Sequence, residues 1–467
     1  MSARTALHLV LLAVIYAIPA RAQLPDAPIA LVDVTVVDLG ADRQVRANQT
    51  IVVVGGRIRA VGPTASTLIP HGARRVPAQG KYVIPGLWDS HVHFMNATEW
   101  ALPMYLAHGI TSVREMGGYI DSTRAWQARM AAGALTGPRI LTPGPILESP
   151  RYLANVRERS VRDPRIGQRV LPYRLGIGDS NEAKKAIDSL VKLHVDFVKI
   201  RTTATPEAYF AVLREARRAG LQVAGHQPSV VSLVTAADSG QRDIEHAFGP
   251  PTSQLSEGGR DSVYAAFARN HTWYTPTLVV TKAVAITGDS AWRSIFGDDV
   301  SQLDERRPYA APWLLEWWRI QVEERKTDTS TAPTVAALQA YASSVADVRR
   351  LHALGVPILA GTDAGSVLVY PGFSLHEELR LLVEEAGFSP GDALWSATVG
   401  PAQFAGLESE LGAIAPGKIA DLVVLDANPL ASIRSTRRIR AVMQGGRLYN
   451  RKALDAMLAR VRLAVGR

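Results

Sequence analysis

The sequence predicts an α/β protein: a parallel (β/α)8 TIM-like barrel with a small β-sandwich built from both chain ends. Three observations carry this. Between about residues 85 and 405, short apolar β-patterns alternate with helical patterns, eight β units in all, which is the pattern of a parallel sheet wound with helices. Side chains able to hold a metal or move a proton fall at the carboxyl ends of those units, where such barrels place their chemistry. The two β-rich ends share a hairpin signature, Gly55-Gly56-Arg57-Ile58 echoed by Gly445-Gly446-Arg447-Leu448.

Taken in order, the first residues predict export. Arg4 precedes an apolar stretch from Ala6 to Pro19, and Ala20-Arg21-Ala22 supplies small residues before Gln23. This is the pattern of a secretory signal peptide over residues 1–22, shorter than a membrane span. Its removal points to a periplasmic or secreted protein. With no cysteine in the chain to take a lipid, and no second long apolar stretch, no stable membrane anchor is expected after cleavage. Residues 23–84 read as the first part of the sandwich, 85–405 as the barrel, and 406–467 as the rest of the sandwich with a terminal helix.

Within the barrel, Val83–Phe94 holds the first unit. Ile110–Met116 is the second, followed by a helix over Ser122–Ala134, and Pro138–Leu147 is the third. Residues 148–178 read as an irregular, arginine-rich lid or insertion. A helix over Asn181–Leu193 leads to Val195–Ile200, and one over Pro206–Ala219 leads to Leu221–His226. Arg242–His246 and Thr272–Leu278 follow, then a long helical excursion through 281–335, and Val356–Asp363 closes the set. The excursion carries Trp313–Trp318, whose tryptophans read as packing anchors.

At 47% hydrophobic and 20% charged, the chain has the composition of a globular protein with a sizeable core. The formal charge is +9; losing Arg4 and Arg21 leaves 50 basic against 43 acidic residues, or +7. The surplus sits between Arg151 and Arg174 and from Arg434 to Arg467. Without interleaved aromatics, a recognition helix or zinc-finger spacing, this predicts solvated faces and no nucleic-acid partner. The absence of cysteine excludes disulfides and thiolate metal sites. A metal here must use imidazole, carboxylate or an oxygen carried by a modified lysine.

The candidate ligands follow from spacing. His91 and His93, in W-D-S-H-V-H-F, stand two apart on a predicted strand, so both imidazoles project from one face. Lys199 ends V-D-F-V-K, His226 ends V-A-G-H, His246 ends I-E-H, and Asp363 ends A-G-T-D. Each alone also reads as a hydrogen-bonded core or rim residue, or, for Asp363, a turn or helix cap. A lysine closing an apolar strand must find a charge partner or change its chemistry. Six potential ligands at one rim are what point to a metal site. Arg114, Tyr119, Arg201 and His271 lie near strand ends and suit a substrate carboxylate, but equally suit structural hydrogen bonds. Gly361 and Gly365 are expected to let the backbone turn around Asp363.

These segments, P-G-L-W-D-S-H-V-H, V-A-G-H, I-E-H, A-G-T-D-A-G and L-G-A-I-A-P-G-K-I-A-D-L-V-V-L-D, resemble the amidohydrolase superfamily of metal-dependent hydrolases. The resemblance runs over residues 28–450 and is nearest to the imidazolonepropionase-like branch with its Xaa-Pro dipeptidase-type members. It implies two divalent ions, zinc by expectation, on residues matched one by one. His91 and His93 would hold the more buried ion, and His226 and His246 the second. Lys199, N-carboxylated, would bridge them. Asp363 would ligate the first ion and act as general acid/base toward a metal-bridging hydroxide. The implied substrate is a small molecule or dipeptide-like amide. Gln227-Pro228 departs from the branch's usual second histidine after His226, leaving the substrate contacts of that loop open. Two alternatives stand beside this reading: a mononuclear deaminase or cyclic-amide hydrolase using His91, His93, His226 and Asp363, and an inactive barrel acting as a binding protein.

Overall fold

The computed structural model describes residues 27–40, 45–94, 99–246, 255–286, 304–326 and 335–466. The predicted signal peptide, and residues 287–303 and 327–334 of the excursion, lie outside the described residues.

In chain order the strands are β1 (Ile29–Val37), β2 (Val45–Val54), β3 (Arg57–Pro63), β4 (Arg74–Pro77) and β5 (Tyr82–Pro85). Then come β6 (Leu87–Val92), β7 (Ile110–Glu115), β8 (Arg139–Leu141), β9 (Ile146–Glu148) and β10 (Arg174–Gly176). The series continues with β11 (Val198–Ile200), β12 (Val223–His226), β13 (Asp243–Glu245) and β14 (Trp273–Thr275). The last three are β15 (Leu422–Leu425), β16 (Ile439–Gln444) and β17 (Arg447–Asn450).

Both chain ends enter one eight-stranded sheet, ordered β17-β16-β15-β5-β1-β2-β3 with β4 beside β1. β5 is the junction: Val83 pairs with Val36 of parallel β1 on one side and with Val424 of antiparallel β15 on the other. Burial of Leu31, Val34, Val36, Ile51, Val83, Leu422 and Val424 in one apolar cluster holds the ends together. The expected sandwich is thus one continuous hydrogen-bonded sheet around its own core. The echoed hairpins, β2–β3 and β16–β17, touch: a Cβ on Gly446 (φ 81) would lie 2.6 Å from Gly56 Cα. Only glycine fits that approach.

The remaining strands form two parallel arcs, β6-β7-β8 and β10-β9-β11-β12-β13-β14. The fold class is therefore the predicted one, but two units are built differently from expectation. The third predicted unit is split into β8 and β9 by Thr142-Pro143-Gly144-Pro145, whose prolines lack N–H donors and whose Gly144 has φ 61. The predicted eighth strand, Val356–Asp363, is irregular backbone between the arcs. Ile358 bridges Tyr274 and Ala364 bridges Val92, while Ser90 N donates to Ala360 O at 2.9 Å. Left-handed Asp363 (φ 62) and Gly365 (φ 106) interrupt any ladder there.

Residues 148–178, expected to be irregular, contain helices Pro150–Arg162 and Pro164–Val170. Each has its own start signal. Ser149 accepts from Tyr152 N, Asp163 accepts from Arg165 N, and a proline follows each cap. Val156, Ile166 and Val170 pack with Trp317 and Trp318 of helix Pro312–Lys326, so the tryptophans do anchor packing. Together these helices wall the rim of the arcs. No helix among the described residues is long and apolar enough to cross a membrane.

Candidate active site

β6 delivers His91, fully buried, and just past its end His93, whose side chain is 23% exposed. Asp89, two residues earlier, clamps the opposite loop. Its carboxylate accepts from Thr362 N at 3.0 Å and from Thr362 Oγ1 at 2.7 Å. Asp363 N then donates to His91 O at 2.7 Å, fixing Asp363 over the histidines. Gly361 is needed here for close approach, since a Cβ would meet His91 Cβ at 2.8 Å, and Gly365 for its positive φ.

Lys199 rises from β11, His226 ends β12, and His246 follows β13. His246 N donates to Thr275 O at 2.8 Å, and its Nδ1 faces Thr277 Oγ1 at 2.9 Å, leaving Nε2 for the site. His91 and His246 rings lie 4.5 Å apart, and His226 and His246 rings 4.8 Å. All six predicted residues gather at one place: His93, Lys199, His226, His246 and Asp363 line a cavity of about 870 Å³, with His91 beneath it.

Sequence reasoning missed Glu245. It is fully buried, ion-paired to Lys199, and 3.2 Å from Arg114 Nη2. His91 Nδ1 lies 3.7 Å from it, and His91, Glu245 and His246 form one compact donor trio while His91, His93 and Asp363 form another. Arg114, a candidate for substrate binding, instead lies buried behind the site. It donates to Ser90 O and Asp243 and stacks 4.8 Å over Phe404, so it holds the site's walls together. His271 caps the far end of helix Glu257–Asn270 in a left-handed conformation (φ 49), away from the cavity. Tyr119 leads into helix Ile120–Ala131 and packs at a tilt against Tyr173; Arg201 lines the cavity.

Burial keeps His91, His226 and His246 neutral. Burial depresses His91 to about 3, against a partial pull upward from Glu245. Burial likewise lowers His226 and His246, with Lys199 adding to the effect. Burial alone would raise Asp363, but the nearness of the His91, His93 and His246 rings outweighs it and holds the carboxylate well below its usual range. Burial lowers Lys199, opposed by Glu245. Neutral imidazoles beside an ionised carboxylate are the protonation states a divalent metal requires.

The residues also fit a metal geometrically. Both ring nitrogens of His91 are buried without a hydrogen-bond partner among the described residues. The donor atoms face one another at 3.3 and 3.4 Å from Asp363 Oδ1, too long for good hydrogen bonds. Tetrahedral ligands about 2.0–2.1 Å from a zinc ion would be separated by about 3.3 Å. Buried nitrogens left without partners are costly, and a cation is what this donor set accommodates.

Comparison with known proteins gives a consistent picture. The model of the Amidohydrolase family matches residues 82–449. The chain is 26% identical over 395 residues to an imidazolonepropionase of Salinispora tropica, covering 81% of this chain and 85% of that one. It is 24% identical over 431 residues to a 5-methylthioadenosine/S-adenosylhomocysteine deaminase of Symbiobacterium thermophilum, covering 84% of each. Among solved structures, a Xaa-Pro dipeptidase with methionine bound in its active site superposes with TM-score 0.66 at 22% identity, over 91% of this chain and 100% of that one. That last likeness is one of fold.

Proposed function

The chain belongs to the amidohydrolase family and is a hydrolase acting on carbon–nitrogen bonds, and from that premise we propose that it cleaves an amide or dipeptide-like bond. The observation that carries the reading is the convergence of six side chains from five segments at one cavity, with both His91 ring nitrogens buried and without a hydrogen-bond partner among the described residues. His91, His93 and Asp363 would hold one divalent ion, zinc by preference, and His226 and His246 a second. Lys199 would lie between them as a carbamate; its burial favours the neutral amine, whose nitrogen attacks carbon dioxide with loss of a proton.

Bound metal supplies an acidified water and a Lewis acid for the scissile carbonyl. The chain's residues do the rest. Asp363, ionised and 14% exposed to the cavity, takes the proton from the attacking water and returns it to the departing nitrogen. Ser366 Oγ donates to Asp363 Oδ2 at 2.8 Å, leaving Oδ1 free to face the histidines. The Asp89–Thr362 clamp keeps Asp363 in register with His91.

A second reading has its own observation. The Lys199–Glu245 ion pair and the His91–Glu245–His246 trio suit a single-metal site in which Lys199 stays a cation. That fits a deaminase or cyclic-amide hydrolase. The test is a substrate panel on the purified enzyme. The favoured reading expects release of free amino acid from dipeptides or N-acyl amino acids, and no ammonia from amino-purines. Ammonia release without amide cleavage would reverse the order of the two readings.

A further inference from the structure

Part of the basic surplus of residues 151–174, expected to be a solvated face, also lines the cavity, while Arg162 and Arg165 stay exposed as that face requires. Arg159, Arg162, Arg165 and Arg174 all reach it from the helical wall or β10, against Asp163 as the wall's own acid. Arg201 joins them, two residues after Lys199 and just past the end of β11.

Two of these arginines are built into one device. Glu148, fully buried at the end of β9, pairs with Arg174 and, at 3.2 Å, with Arg201 Nη1. Its other oxygen accepts from Thr202 Oγ1 at 2.5 Å. Two guanidinium groups thus share one carboxylate and leave a net positive charge facing the cavity. The Arg201 guanidinium carbon lies 4.2 Å from the ring centroid of Tyr152, and that of Arg174 5.3 Å from the centroid of Tyr173, so each cation also rests against an aromatic ring. The Arg174 side chain is only 9% exposed, and its Nε has no hydrogen-bond partner among the described residues. A buried charged donor without a partner is costly and is expected to find one in a ligand.

We propose that Arg201 and Arg174 form a carboxylate-binding subsite, and that the amide substrate carries a free carboxylate alongside an apolar body. The proposal rests on the amide-cleaving reading above. A planar guanidinium pair matches a carboxylate in a way that lysine would not. Ile166, Val170, Trp317 and Ile320, packed together in the helical wall, give the cavity an apolar part beside these charges. At about 870 Å³ the cavity is near the upper end of small-molecule sites, about 300–1,000 Å³. An amino acid carrying a bulky N-acyl group fills such a space better than a small dipeptide does.

The test uses the metal-loaded full chain and two probes, N-octanoyl-L-phenylalanine and its C-terminal carboxamide, read by octanoate release. Wild type is expected to favour the free acid at least about tenfold in kcat/KM, chiefly through KM. Arg201→Gln should lose about 10- to 100-fold on the acid while staying within about threefold on the carboxamide. Arg201→Lys should fall between, since it keeps the charge but not the fork. Glu148 keeps Arg174 and Thr202 in these variants, so folding and metal content should be unchanged. Equal loss on both probes, or no preference for the acid in wild type, overturns the subsite. If neither probe is cleaved, calorimetric binding of the same two compounds decides. Acid-selective binding lost in Arg201→Gln would keep the subsite while the amide-cleaving reading fails, and binding indifferent to the carboxylate would sink the subsite as well.

Discussion

Two residues at the site's centre sit in strained backbone. Asp363 has φ 62 and His246 φ 66, both in the left-handed region that non-glycine residues seldom enter. The strain explains what the sequence could and could not reveal. His91 and His93 were legible because a spacing of two shares a face on any strand. Glu245 was not, because it neighbours His246 and simple alternation would send the two to opposite faces. The left-handed turn at His246 brings both toward His91. Aspartate and asparagine tolerate this region better than most residues, so Asp363→Asn should keep the fold. It should lower kcat by about 10²- to 10⁴-fold through loss of the proton carrier. Steady-state kinetics beside a thermal melt checks this; a variant as fast as wild type would remove Asp363 from proton transfer.

At the scale of elements, the helical wall was hidden because Pro150–Arg162 and Pro164–Val170 carry frequent arginines and only a narrow apolar face, Leu153 and Val156 in the first helix and Ile166 and Val170 in the second. Their signals were local instead, in the Ser149-Pro150 and Asp163-Pro164 caps. The eighth strand was over-read for the opposite reason. V-P-I-L-A is apolar enough to predict a strand, yet its hydrogen bonds are spent bridging two arcs. Helix Phe373–Glu384 makes a separate prediction. His376 Nε2 donates to His108 O at 3.0 Å, and burial depresses His376 to about 3 and His108 to about 4. Both are neutral when folded and protonate near 6.5 when unfolded. Between about pH 6.5 and 4 the unfolded chain binds more protons, so stability is present above 6.5 and falls as pH drops. The slope approaches about 1.4 kcal/mol per pH unit for each group. Urea midpoints from pH 7.5 to 5 should fall in wild type and fall less in His376→Gln; equal slopes would contradict this origin.

At the scale of the whole molecule, the terminal sheet and the arcs are one structure. Asp421, just before β15, accepts from Arg139 of β8 at 2.9 Å and from Gly445 N at 2.7 Å. Gln444 of β16 donates to Thr111 O and Gly137 O, each at 3.0 Å. The joining of the ends was legible in the repeated Gly-Gly hairpins, because a close glycine contact leaves a mark in both partners. The alternation of strand and helix was legible for the same kind of reason, since burial imposes its period on the sequence. The count of ions was not, because His91, Lys199 and Glu245 would suit either a bridged pair or a single metal. Metal content therefore tests the central claim most directly, measured per chain on protein produced with zinc and bicarbonate and purified without chelators. The account expects about two ions per chain, falling to about one or fewer in Lys199→Ala. A folded protein with no bound metal, or with one ion indifferent to Lys199→Ala, would contradict it.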